Sequence, residues 1–141
     1  MGIFDFLFKK KPVIRLEDPV FGALEYDSYI WCTVIKPDNE KYEPFVTIDA
    51  GEEGPSDRQR QLYMEIQERL PEYLERGRAH TKAHAYMPVE ASELNVYSFA
   101  IGDSEETARQ EFVLELTDED AAFIHRVTFR GTEPVDYGCD D

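Results

Sequence analysis

The stretch Ser56-Asp57-Arg58-Gln59-Arg60-Gln61-Leu62-Tyr63-Met64-Glu65-Ile66-Gln67-Glu68-Arg69-Leu70-Pro71-Glu72-Tyr73-Leu74 decides the fold. Ser56 followed three residues later by Gln59 is a capping-box pattern, in which each side chain satisfies a backbone N–H at a helix start. Leu62, Ile66, Leu70 and Leu74 then recur every four residues, with Tyr63 and Tyr73 beside them. That spacing makes one apolar helix face, and such a face needs a sheet to cover. Pro71 lacks the N–H that would close the ladder, which predicts a kink or a restart there and a less regular second part from Glu72 to about Ala85. Met87-Pro88 ends the segment.

Strand patterns lie on both sides of this helix. Residues 21–26 lead through Asp27-Ser28 into the aromatic and β-branched run Tyr29-Ile30-Trp31-Cys32-Thr33-Val34-Ile35, a hairpin signature. Lys36-Pro37-Asp38-Asn39-Glu40 is turn chemistry, and residues 42–48 resume a strand with Phe45, Val46 and Ile48. Beyond the helix, residues 94–101 form another strand. Phe112, Leu114 and Leu116 alternate with Glu111, Val113 and Glu115, and Phe123, His125, Val127 and Phe129 alternate with Ile124, Arg126, Thr128 and Arg130. The order βββ-α-βββ predicts an α+β fold: an antiparallel sheet of about six strands with one long, Pro-kinked helix packed on one face. Residues 1–12 read as an apolar and basic leader segment and 13–141 as a single α+β domain.

The 141 residues are 42% hydrophobic and 13% aromatic, enough apolar surface to offset chain entropy and exclude disorder. Thirty acidic side chains against 15 basic ones give a formal charge of -15. Lys9, Lys10 and Lys11 are the one basic run and make the leader positive, so the excess of acid lies in the body of the chain. This excludes nucleic acid as a partner for that body, because phosphate binding needs clustered Lys and Arg. A basic protein partner is favoured instead, although solubility also accounts for the charge. Phe4, Phe6, Leu7 and Phe8 beside the lysines offer a membrane contact through residues 1–11 as a lesser expectation than docking on the core. That segment is too short to span a bilayer and has no cleavage site, so cytoplasmic residence is the default.

Chemistry-bearing residues are few. Cys32 lies in an apolar run and reads as buried, and Cys139 sits among acids that disfavour a thiolate. His80 and His84 stand four apart, a spacing that can present two imidazoles to a divalent metal with His125, Cys32 or a carboxylate as a third ligand, which makes a metal-binding protein or metal-dependent enzyme the alternative function. Their alternative reading is a pair of surface residues, with His125 on a sheet face. The loop from Asp49 through Glu52 and Glu53 to Asp57 has a phosphate-loop outline but repels anions, and its acids do not follow the EF-hand spacing for calcium. Asp103, Glu105, Glu106, Glu111, Glu115, Asp118, Glu119 and Asp120 are answered locally by Arg109 alone. This acidic ribbon is the candidate surface for a basic partner; a solvated edge is its other reading. No cofactor motif and no catalytic constellation is present, so no cofactor is assigned and a non-enzymatic role is favoured.

The stretch Asp18-Pro19-Val20-Phe21-Gly22-Ala23-Leu24-Glu25-Tyr26, the aromatic strand with Trp31, and the close Val127-Thr128-Phe129-Arg130-Gly131-Thr132-Glu133-Pro134 resemble a group of small uncharacterised bacterial domains. Relatives of that group, similar in size and acidity, sit among immunity proteins of toxin systems. The resemblance implies a bacterial, non-enzymatic domain and carries over no functional residue.

Overall fold

The computed structural model describes residues 14–27, 30–34, 44–102, 111–118 and 122–140. The leader at 1–12 and most of the acidic run after residue 102 lie outside the described residues. The strands are β1 (Ile14–Asp18), β2 (Gly22–Asp27), β3 (Ile30–Thr33) and β4 (Phe45–Asp49) before the helices, and β5 (Asn95–Ile101), β6 (Glu111–Thr117), β7 (Ile124–Arg130) and β8 (Glu133–Asp140) after them. Between the two sets come α1 (Asp57–Glu68), α2 (Leu70–His84) and a short 3-10 turn at Ala91–Glu93. All eight strands form one sheet in chain order. Every neighbouring pair is antiparallel except β4 and β5, where Val46 lies beside Phe99 and Ile48 beside Ile101 in parallel. A parallel pair needs a long crossover, and the two helices supply it.

The α+β class holds, and the detail differs from the sequence expectation in two respects. Among the described residues the sheet has eight strands, not six, in the order ββββ-αα-ββββ. The two unforeseen strands are β1 and β8, which form the two edges of the sheet. Edge strands tolerate charge, Pro and Gly because one side of their ladder stays unpaired. β1 accordingly carries Arg15 and Glu17, and β8 carries Pro134 and Gly138, which blurs the alternation that reveals a strand.

The second difference concerns the helix. Instead of one Pro-kinked helix there are two, separated at Arg69, whose φ of -113° and ψ of 20° leave the helical region. Pro71 then occupies the first turn of α2, where a missing N–H removes no bond. The second part is not irregular but a 15-residue α-helix. The break also re-phases the buried face: Leu62 and Ile66 face the sheet on α1, while Tyr73, Gly77 and Thr81 take over on α2 and leave Leu70 and Leu74 half-buried.

Both helices cover the same sheet face, lined by Leu24, Trp31, Ile48, Phe99, Leu114 and Phe129 among others. Tyr73 meets Phe112 and Phe129 edge-on at 5.1 and 5.2 Å. Gly77 lets α2 approach closely: a Cβ there would lie 3.1 Å from Leu114 Cδ2 and 3.4 Å from Leu116 Cδ1. Two polar anchors fix the first half of the sheet beneath α1. Buried Asp18 accepts from the N–H groups of Val20 and Phe21 and pairs with Arg60 at 2.8 Å. Burial opposes its ionisation, but those two N–H bonds and Arg60 outweigh that cost and hold the carboxyl below its ordinary value. The Trp31 indole N–H donates to the Gly51 carbonyl at 2.8 Å. Among the described residues no helix is long and apolar enough to cross a membrane.

Candidate functional site

The end of α2 sets up one wall of a cavity that the described residues line. Ala85 adopts extended dihedrals (φ -65°, ψ 137°), so the chain leaves the helix and runs as the loop 85–94 toward β5. Arg78 holds that loop in place by donating from Nε and Nη2 to the Leu94 carbonyl, at 2.9 and 2.6 Å. Opposite stand β7 and β8. His125 on β7 pairs across with Cys139 on β8, and Tyr137 pairs with Val127, so His125, Tyr137 and Cys139 all project on the helix side of the sheet.

Between the loop and these strands lies a pocket of about 400 Å³. This volume is at the smaller end of the range of roughly 300–1,000 Å³ usual for ligand sites. Met87, Pro88, Val89, Leu94 and Phe123 make its apolar walls, with Glu90, Glu93 and Asp118 as its carboxylates. Among the described residues no Lys or Arg lines it. Its base is a hydrogen bond of 2.8 Å between His125 Nδ1 and the Tyr137 hydroxyl.

The electrostatics of that base follow from burial. Burial pushes the His125 imidazole below its ordinary value of 6.5, against the opposing pull of the Asp118 charge. Burial, helped by Cys139, pushes the Tyr137 phenol up to about 12. At neutral pH the His125–Tyr137 pair is therefore uncharged, and the field in the pocket comes from its carboxylates. Among the described residues Asp118 Oδ1 is a buried atom with no hydrogen-bond partner. A carboxylate oxygen left so is costly, and a donor brought to that carboxylate would relieve the cost.

The three histidines of the metal reading do come close, but through an aromatic side chain. His80 and His84 rings lie 4.2 Å apart, His84 stacks on Tyr137 at 6.4 Å, and Tyr137 stacks on His125 at 6.0 Å. Burial and then His84 lower the His80 value, while Asp136 acts the other way. Among the described residues, no group of three or more His, Cys, Asp or Glu is arranged to hold a metal ion.

The acidic ribbon divides. Asp103, Glu105, Glu106, Glu119 and Asp120 lie outside the described residues. Of the rest, Glu111 is paired with Arg130 at 2.8 Å, and Glu115 stands across from Arg126, which itself pairs with Asp140. Asp118 turns to the pocket. The loop at 49–57 serves the framework, since Gln59 Nε2 donates to the carbonyls of Asp49 and Gly102 at 2.7 and 3.0 Å. Cys32 is not in the core: it lies half-buried on the face away from the helices, opposite Glu25 and Thr47. Burial, then Asp27 and Glu25, push its thiol up.

Sequence patterning marks Phe123 only as part of a strand alternation and does not mark Tyr137, Glu90 or Glu93. The one available signal for Tyr137 is the alternation Val135, Tyr137, Cys139, half hidden by the Pro and Gly of an edge strand. The loop acids carry no local pattern at all. Comparison with protein-family models, with curated proteins and with solved structures finds no match to this chain.

Proposed function

We propose that this protein is a non-catalytic, acidic interaction domain that binds a basic protein in the cytoplasm, in the manner of an immunity protein that occludes a toxin. One observation carries this reading: the concavity between the loop 85–94 and strands β7 and β8 presents three carboxylates and, among the described residues, no Lys or Arg, on a chain of net charge -15. Long-range attraction raises the encounter rate of such a surface with a positive partner, and like-charged partners are turned away. Glu111 on the outer ribbon is neutralised by Arg130, whereas the carboxylates of the pocket and its rim have no such Lys or Arg among the described lining residues.

Affinity capture from a source lysate at low and at moderate salt tests it. The expected result is a basic protein retained at low salt and lost several-fold as salt screens the attraction. Recovery of no basic partner at either salt concentration overturns the proposal.

A further inference from the structure

We propose that the pocket between the loop 85–94 and strands β7 and β8 receives one arginine or lysine side chain of the basic partner, with Asp118 as its counter-ion. The inference rests on the interaction reading above and names the part of the partner that enters. Three independent features of the pocket converge on this chemistry. Its walls are apolar, through Met87, Pro88, Val89, Leu94 and Phe123, and suit the methylene stem of a long basic side chain. Phe123 and Tyr137 also line it, and aromatic rings attract a guanidinium or ammonium.

The second feature is charge. Glu90, Glu93 and Asp118 line the pocket with no basic residue to neutralise them, and the His125–Tyr137 base is uncharged at neutral pH, so nothing repels an incoming cation. The third is an unmet bond. Half-buried Asp118 keeps its inner oxygen Oδ1 without a partner among the described residues, whereas the buried carboxylate of Asp18 has two backbone donors and Arg60. A cationic donor beside Asp118 gives it what Arg60 gives Asp18. A neutral apolar side chain of the same length would fill the walls and leave that carboxylate unanswered, which is the basis of discrimination.

The test uses the full chain and small probes. Nα-acetyl-arginine methylamide and its lysine and norleucine counterparts are titrated while the Asp118 amide, the His125 ring and the Tyr137 ring are followed by NMR. The expected result is saturable shifts at all three residues with the arginine or lysine probe, none with norleucine, and a loss of affinity of about tenfold or more in Asp118→Asn. Glu93→Gln, on the exposed rim, supplies a second variant with a smaller loss. Absence of shifts with both cationic probes, or equal shifts with norleucine, overturns the inference. If a captured basic partner binds Asp118→Asn as well as it binds the original chain, the pocket assignment fails while the interaction reading stands. If no basic partner is captured at all, it is the interaction reading that fails.

Discussion

His125 and Tyr137 show how a single pairing sets the chemistry of a site. Two residues that alternate onto the same face of adjacent antiparallel strands are brought to 2.8 Å, and burial keeps both uncharged at neutral pH. The consequence for stability has a definite sign. The folded value of His125 lies below its unfolded value near 6.5, so in the interval between the two the unfolded chain binds more protons than the folded one. Stability conferred by keeping this imidazole neutral is therefore present above about pH 6.5 and is lost as pH falls toward the lower folded value, at a slope of up to about 1.4 kcal/mol per pH unit for one full proton. His80, lowered by burial and by His84, adds to the same slope. Asp118, which faces His125, works against it. Urea midpoints measured at pH 7.5, 6.5 and 5.5 should fall in that order, and His125→Gln should make the decline shallower. An unchanged decline in that variant would show that His125 is not buried in its neutral form. The face on which His125 sits was legible from alternation alone; its partner was not, because Tyr137 belongs to an edge strand whose pattern is interrupted by Pro134 and Gly138.

At the scale of elements, the capping box at the start of α1 forms as its residues predict. Ser56 Oγ accepts from the Gln59 N–H at 3.2 Å, and Gln59 Oε1 accepts from the Ser56 N–H at 3.0 Å. The motif says nothing of the other end of that amide. Gln59 Nε2 bonds the carbonyls that end β4 and follow β5, so one side chain caps a helix and clasps the parallel pair of β4 and β5. Ser56→Ala removes a cap and should cost about 1 kcal/mol. Gln59→Ala also strands two carbonyls in a site where the residue is 2% exposed, so its cost should be larger, about 2–4 kcal/mol. Equal losses for the two variants in denaturant unfolding would mean that the strand-end bonds contribute nothing. The helix break shows a similar limit of local signals. Pro71 announces an interruption, but a kink and a restart have the same sequence signature. The dihedrals at Arg69 choose the restart, and with it Tyr73, Gly77 and Thr81 replace Leu70 and Leu74 as the face that meets β6 and β7.

Across the whole molecule, the described residues carry twenty carboxylates against nine Lys and Arg side chains, and a compact body with that imbalance repels itself. Raising ionic strength from about 0.01 M to about 0.15 M shortens the screening length from about 30 Å to about 8 Å. The melting temperature should rise over that interval by roughly 3–5 °C, which for a domain of this size corresponds to about 1 kcal/mol. A constant or falling midpoint would show that the carboxylates are already compensated in the folded state. Charge, the strand alternation, the helix start and the α+β class were all determined by the sequence itself, because each depends on residues within a few positions of one another or on composition. Edge strands, the choice between kink and restart, and the pocket were decided only by the tertiary structure. Loop 85–94, Asp118, His125 and Tyr137 are separated by tens of residues, and a period of two tells which face a side chain takes without telling which strand will lie beside it. The register of β7 on β8, together with Arg78 pinning the loop to Leu94, is what brings three carboxylates around one apolar cavity.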